Sequence, residues 1–126
     1  MKKIINTDLA PAPIGPYNQA VQAGAFFYVS GQIPLDAKSG QIVEGDIARE
    51  TTLVMENIGY ILKEAGLDYS HVVKSTIFLS DMELFADVNA VYGRYFTDAA
   101  PARETVAVKG LPKNVRVEIS VIAYNG

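Results

Sequence analysis

The sequence predicts an α+β fold, a mixed and mostly antiparallel sheet with two helices packed on one face. Residues 46–66 carry apolar side chains at helical spacing between an N-cap aspartate and a glycine. Residues 80–95 repeat that spacing over a shorter stretch, and the remaining apolar segments alternate or are rich in β-branched residues. Two amphipathic helices cover one face of a sheet, which leaves the other solvated or free to form an interface.

Lys3–Asn6 suits a short edge strand. Ala10–Tyr17 holds Pro11, Pro13, Pro16 and Gly15; proline lacks the ladder donor and breaks a helix, so an extended loop ending at Tyr17 is expected. Gln19–Ala23 and Phe26–Gly31 flank Gly24-Ala25, a two-residue hairpin signal. Pro34 closes the second strand, and polar Asp36–Gly45 is a turn region. Asp46 caps the first helix, whose stripe is Ile47, Thr51, Val54, Ile58, Ile61 and Ala65, with Gly66 at the position after the C-cap. Gly59 inside it costs about 1 kcal/mol against alanine and marks close packing. Val72–Leu79 is a β-branched strand. Ser80 with Glu83 suggests a capping box opening a second helix with the stripe Leu84, Val88, Val91 and Tyr95. Thr105–Val108 is a short strand. Val115–Tyr124 alternates, with Val115, Val117, Ile119, Val121 and Ala123 on one face and Arg116, Glu118, Ser120, Ile122 and Tyr124 on the other. Ile122 and Tyr124 on that alternate face point to an interface, and Tyr92 and Phe96 of the second helix strengthen that option.

The 126 residues, 49% hydrophobic and 20% charged, suit a single domain spanning 1–126, with no repeat or linker to divide it. A net charge of -3 argues against nucleic acid or an anionic membrane as the main partner. No apolar stretch is long enough for a signal peptide core or a membrane span, so a cytoplasmic protein is expected. With no cysteine and His71 as the one histidine, thiol nucleophiles, disulfides and two-histidine metal motifs are excluded. Lys38-Ser39-Gly40 lacks the spacing of a phosphate loop, and no cofactor motif occurs. Chemistry here must use Arg, Lys, Asp, Glu, Tyr, backbone groups and water.

Arg103, in Pro101-Ala102-Arg103-Glu104-Thr105-Val106, can clamp a carboxylate through two parallel hydrogen bonds, or be a surface arginine paired with Glu104. Glu118, mid-strand in an apolar run, is either solvent-facing, paired at an interface or a positioned acid–base group. Tyr17 either packs its proline-rich loop onto the core or faces a ligand. Asn89, on the flank of the second helix's stripe, can bond a neighbouring loop or a ligand. His71 is a surface residue.

Gly15-Pro16-Tyr17, Val29-Ser30-Gly31-Gln32-Ile33-Pro34, Val88-Asn89 with Tyr92 and Phe96, Pro101-Ala102-Arg103, Leu111-Pro112 and Val117-Glu118-Ile119 occur in the order and approximate spacing of the RidA (reactive intermediate deaminase, or YjgF) family. The resemblance covers Asn6 to Tyr124. It implies a chorismate-mutase-like fold, a homotrimer with clefts between subunits, and no cofactor. It also implies hydrolysis of 2-imino acids such as 2-iminobutanoate and 2-iminopropanoate to 2-keto acids and ammonia. By the same resemblance Arg103 binds the substrate carboxylate, Glu118 holds the attacking water, and Tyr17, Ser30, Gly31 and Asn89 line the cleft. Many members have cysteine where this chain has Thr105; a contact through the backbone there would preserve activity.

A protonated imine is already electrophilic, so the protein needs to hold the carboxylate, place water and move protons. Arg103 near Glu118 would keep that carboxylate ionised. Two other readings use the same residues differently: a regulatory module that binds a small carboxylate without turnover, and the endoribonuclease or translation inhibitor that some family members are labelled.

Overall fold

The hairpin signal at Gly24-Ala25 forms as expected. Gly24 adopts φ 62°, and Ala23 pairs with Phe26 across the two-residue turn. It sits within a six-stranded sheet of order β1-β2-β3-β6-β4-β5, in a computed structural model describing all 126 residues. The strands are β1 (Lys3–Ile5), β2 (Ala20–Ala23), β3 (Phe26–Gln32), β4 (Val72–Leu79), β5 (Ala102–Ala107) and β6 (Val117–Tyr124). Every neighbouring pair is antiparallel except β4 and β5, whose parallel connection contains the second helix. No helix is long and apolar enough to cross a membrane.

Helix α1 (Ile47–Glu64) starts where the sequence places it, with the Asp46 carboxylate accepting from the Arg49 N–H at 2.8 Å. Its end is a Schellman motif: Gly66 at φ 79° donates to the Lys63 carbonyl, and Leu67 donates to that of Leu62. Val54, Met55, Ile58, Ile61 and Leu62 are at most 1% exposed beneath this helix, each stabilising the fold by roughly 1.5–3 kcal/mol. They pack on β3 and β6. Gly59 has the predicted close neighbour: a Cβ there would strike the Tyr69 hydroxyl, which donates to the Met55 carbonyl at 2.7 Å.

The second helix differs from its sequence pattern. Asp81, not Ser80, supplies the cap, accepting from the Glu83 N–H at 2.8 Å over a 3₁₀ turn from Met82 to Leu84. Helix α2 then runs only from Phe85 to Gly93. The expected capping box fails because the tighter turn brings a different acceptor to the free amides. Strand β5 begins at Ala102, three residues before the expected start, because β4 offers parallel partners from Lys74 onward. Strand β6 begins at Val117 because Lys113 and Asn114 take left-handed conformations, with φ 55° and 56°, just upstream. His71 is not a free surface group: its Nδ1 accepts from the Asp68 N–H at 3.1 Å.

Register assigns the two faces. Ser75, Ile77 and Leu79 of β4 lie opposite Val121, Ile119 and Val117 of β6, all buried under the helices. The other face carries Phe26, Tyr28, Phe78, Glu118, Ile122 and Tyr124, with Phe26, Tyr28 and Tyr124 each more than 40% exposed. Tyr92 and Phe96 do not belong to that open face. They stack at 4.7 Å on the helix side, where Tyr92 is buried because the 3.6-residue period turns it inward with Val88.

Candidate functional site

The predicted site residues fall into two groups. The first surrounds Arg103 on β5. Parallel pairing sets Arg103 opposite Ser75 and Thr105 opposite Ile77, so both side chains leave the helix-covered face. Arg103 Nη1 donates to Asn89 Oδ1 at 2.7 Å. The guanidinium carbon lies 5.6 Å from the Phe85 ring centroid and 5.1 Å from that of Tyr92. Phe85, Asn89 and Tyr92 are spaced i, i+4 and i+7, so a single face of α2 meets the arginine. Glu104, the partner expected from sequence, points to the other face and pairs with Lys74 at 3.3 Å. Arg103 itself is exposed and makes no ion pair within the chain.

Three hydroxyls in this region, Ser75 Oγ, Tyr92 Oη and Thr105 Oγ1, are buried without a hydrogen-bond partner. Burial pushes the Tyr92 phenol up, while the Ser75 hydroxyl and the Arg103 guanidinium nearby pull it back in part. Asn89 is occupied by the arginine, and Thr105 is half-buried with its hydroxyl free of any bond.

The second group surrounds Glu118 on β6. Here β3 advances three residues, from Val29 to Gln32, while β6 advances only two, from Val121 to Ile119, which makes a β-bulge. Gly31 in that bulge lies against Glu118: a Cβ there would fall on the carboxylate, 2.9 Å from its carbon. Tyr17, Gly31, Lys113 and Glu118 line an open cavity of about 110 Å³. Buried amides tie down its walls. Gln19 Nε2 donates to the carbonyls of Thr7, Ala10 and Pro11, and Asn57 Nδ2 to that of Leu35 at 3.0 Å. Ser30 Oγ donates to the Asn18 carbonyl at 2.6 Å, so this hydroxyl braces the Tyr17 loop. Burial raises the Glu118 pKa above the ordinary 4.5 in the single chain.

The two groups do not converge within one chain. Glu118 pairs with Phe78 and Arg103 with Ser75, so they point from opposite faces of the sheet with β4 between their strands. Two strand spacings and a three-residue offset put their backbones roughly 14 Å apart. The expectation that Arg103 keeps Glu118 ionised therefore fails for a single chain. Sequence reasoning did not place Phe85 and Tyr92 around the arginine, Tyr92 being quoted only in the family motif and as an interface candidate, nor Gln19 and Lys113 around the glutamate. The i, i+4, i+7 spacing through Asn89 was the available signal for the first pair. Only the fold brings together the second.

The sequence profile described as Endoribonuclease L-PSP matches residues 7–125. A RutC family protein of Pyrococcus horikoshii is 52% identical over 124 residues, covering 98% of each chain. The mouse protein named 2-iminobutanoate/2-iminopropanoate deaminase is 48% identical over 126 residues, covering all of this chain and 93% of its own. The crystal structure of the Escherichia coli YjgF gene product superposes with a TM-score of 0.93 at 42% identity, covering 98% of this chain and 99% of that one.

Proposed function

The chain belongs to the Rid/YjgF family, and from that premise we propose that it hydrolyses 2-imino acids, such as 2-iminobutanoate and 2-iminopropanoate, to 2-keto acids and ammonia. The observation that carries the reading is Arg103. It is exposed, held by Asn89 and two aromatic rings, and free of any carboxylate of its own. A guanidinium with an unspent donor edge suits the carboxylate of a 2-imino acid, and a substrate without that carboxylate leaves it unpaired.

Glu118 supplies the complementary part. Its carboxylate accepts a hydrogen bond from water and orients the oxygen toward the imine carbon. As the C–O bond forms, it takes the water proton and delivers a proton to nitrogen. Ammonia then leaves as the C–N bond breaks and the carbonyl forms. Tyr17 and Gly31 shape the water-side cavity, Ser30 braces its loop, and Asn89 and Thr105 border the carboxylate side.

Because Arg103 and Glu118 leave opposite faces of the sheet, a complete site takes one group from each of two chains. Such a head-to-tail contact can close as a ring, and the family resemblance implies one of three chains. The exposed Phe26, Tyr28 and Tyr124 suit burial in that assembly.

The test is ammonia and keto-acid release from imino acids generated in situ by an amino-acid oxidase. The proposal predicts release above the spontaneous rate, abolished in Arg103→Ala. Release at the spontaneous rate, or Arg103→Ala equal to the unsubstituted protein, would sink it. The family description also carries a ribonuclease label. RNA cleavage that co-purifies with the protein at constant specific activity, in the absence of imine hydrolysis, would favour that second reading.

A further inference from the structure

An exposed arginine on a strand is ordinarily a mobile side chain, and a mobile clamp spends binding energy on being ordered. Arg103 is held differently. Its guanidinium carbon lies 5.1 Å from the Tyr92 ring and 5.6 Å from the Phe85 ring, both within cation–π range. Nη1 is committed to Asn89 Oδ1, while Nε and Nη2 make no hydrogen bond in the chain. A guanidinium restrained by rings and fixed at one nitrogen can present its remaining edge as a two-pronged donor.

The rings are themselves anchored. Tyr92 is 5% exposed and stacks on Phe96 at 4.7 Å. Phe96 meets Tyr69 edge-on at 6.1 Å, and the Tyr69 hydroxyl donates to the Met55 carbonyl in α1. An aromatic series therefore runs from the core helix to the arginine. The Tyr92 hydroxyl takes no part in it: it is buried beside Ser75 and makes no hydrogen bond to the guanidinium, whose bond goes to Asn89. The contact depends on the ring and not on the phenol.

We propose that Tyr92 and Phe85 are positioning residues for the carboxylate clamp, their rings holding the Arg103 guanidinium so that its free edge meets a 2-keto or 2-imino carboxylate. The proposal rests on the reading of Arg103 given above. It makes the faces of these rings, and not the polarity of residue 92, a determinant of affinity for the carboxylate.

Calorimetry on the assembled protein, with 2-oxobutanoate as the probe, measures this. Tyr92→Phe keeps the ring and is expected to bind within about twofold of the unsubstituted protein, whereas Tyr92→Leu and Phe85→Leu weaken binding about 5- to 30-fold. In imine hydrolysis the same leucine variants raise KM more than they lower kcat, because the clamp grips ground state and transition state alike. A merely structural role would lower kcat through lost active protein and leave KM unmoved. Phe85 is only half-buried, so Phe85→Leu carries the test if Tyr92→Leu does not fold. If Arg103→Ala abolishes binding while both leucine variants bind like the unsubstituted protein, the positioning proposal is overturned and the clamp reading stands. If Arg103→Ala binds normally, or the unsubstituted protein does not bind, both fall.

Discussion

Replacing Gly31 by alanine tests the bulge that gives Glu118 its room. The added Cβ would lie 2.9 Å from the carboxyl carbon of Glu118 and closer still to one oxygen. Ordinary contact needs about 3.4–4 Å, so the carboxylate has to retreat by about 1 Å. A displacement of that size at a group positioning a reactant costs on the order of 100-fold in rate, or about 2.7 kcal/mol of barrier. The backbone gives no comparable reason for loss. Gly31 is not among the positive-φ glycines, so alanine is free of left-handed strain there. Overpacking of about 1–3 kcal/mol is offset in part by about 0.4–1 kcal/mol from a less flexible unfolded chain. Gly31→Ala should therefore remain folded in a urea titration while its imine hydrolysis falls about 100-fold. Glu118→Gln should lose as much, and the double variant should lose little more, since both changes act on one group. A folded Gly31→Ala enzyme within threefold of normal activity, or a double variant whose losses multiply, would refute the reasoning.

Other consequences are as direct. Arg103→Lys should retain part of the activity but lose about 10- to 100-fold in kcat/KM, since a point charge cannot reproduce two parallel bonds; steady-state kinetics reads this. Burial raises the Glu118 pKa in the separated chain, while Arg103 of a neighbouring chain pulls it down in the assembled site; kcat/KM should still fall on acidification as Glu118 takes a proton, and Glu118→Gln should remove that limb. The stability sign is opposite to that of an ion-paired carboxylate. The protonated form is favoured in the fold, so its stabilisation is complete below the unfolded pKa and is lost as pH rises through the folded one. In the separated chain, Glu118→Gln should therefore match the unsubstituted protein in acid and exceed it at neutral pH in denaturant titrations. Arg116→Ala strands Glu50, which is 5% exposed and bonded to Arg116 Nη2 at 2.6 Å. Denaturant unfolding should show a loss of about 3 kcal/mol, the low end for a broken buried pair because the arginine is partly solvated.

Local signals carried most of the fold. The cap at Asp46, the glycine at position 66 and the Gly24 hairpin each satisfy a backbone requirement within a few residues, so pattern sufficed. The second helix was harder because Ser80 and Asp81 compete for the same amides, and geometry decides between them. The early start of β5 depended on partners nearly 30 residues away in β4. The site followed the same division. Arg103, Asn89, Tyr17, Gly31 and Glu118 stood out as residue types and through the family resemblance. Their sorting onto opposite sheet faces follows from the pairing of both β5 and β6 with β4, which no short window contains. The braces at Gln19 and Asn57 were equally hidden, since each bonds carbonyls in a distant loop.

The central claim is that a working site combines Arg103 of one chain with Glu118 of another. Mixing subunits of two inactive variants, Arg103→Ala and Glu118→Gln, tests it most directly. Random reassembly at equal amounts pairs an intact arginine with an intact glutamate at about one quarter of the contacts. The account predicts that imine hydrolysis returns to about a quarter of the normal rate after unfolding and refolding the variants together, and stays at about a hundredth of it or less when each is refolded alone. Mixed assemblies that form but remain as inactive as their parents would contradict it.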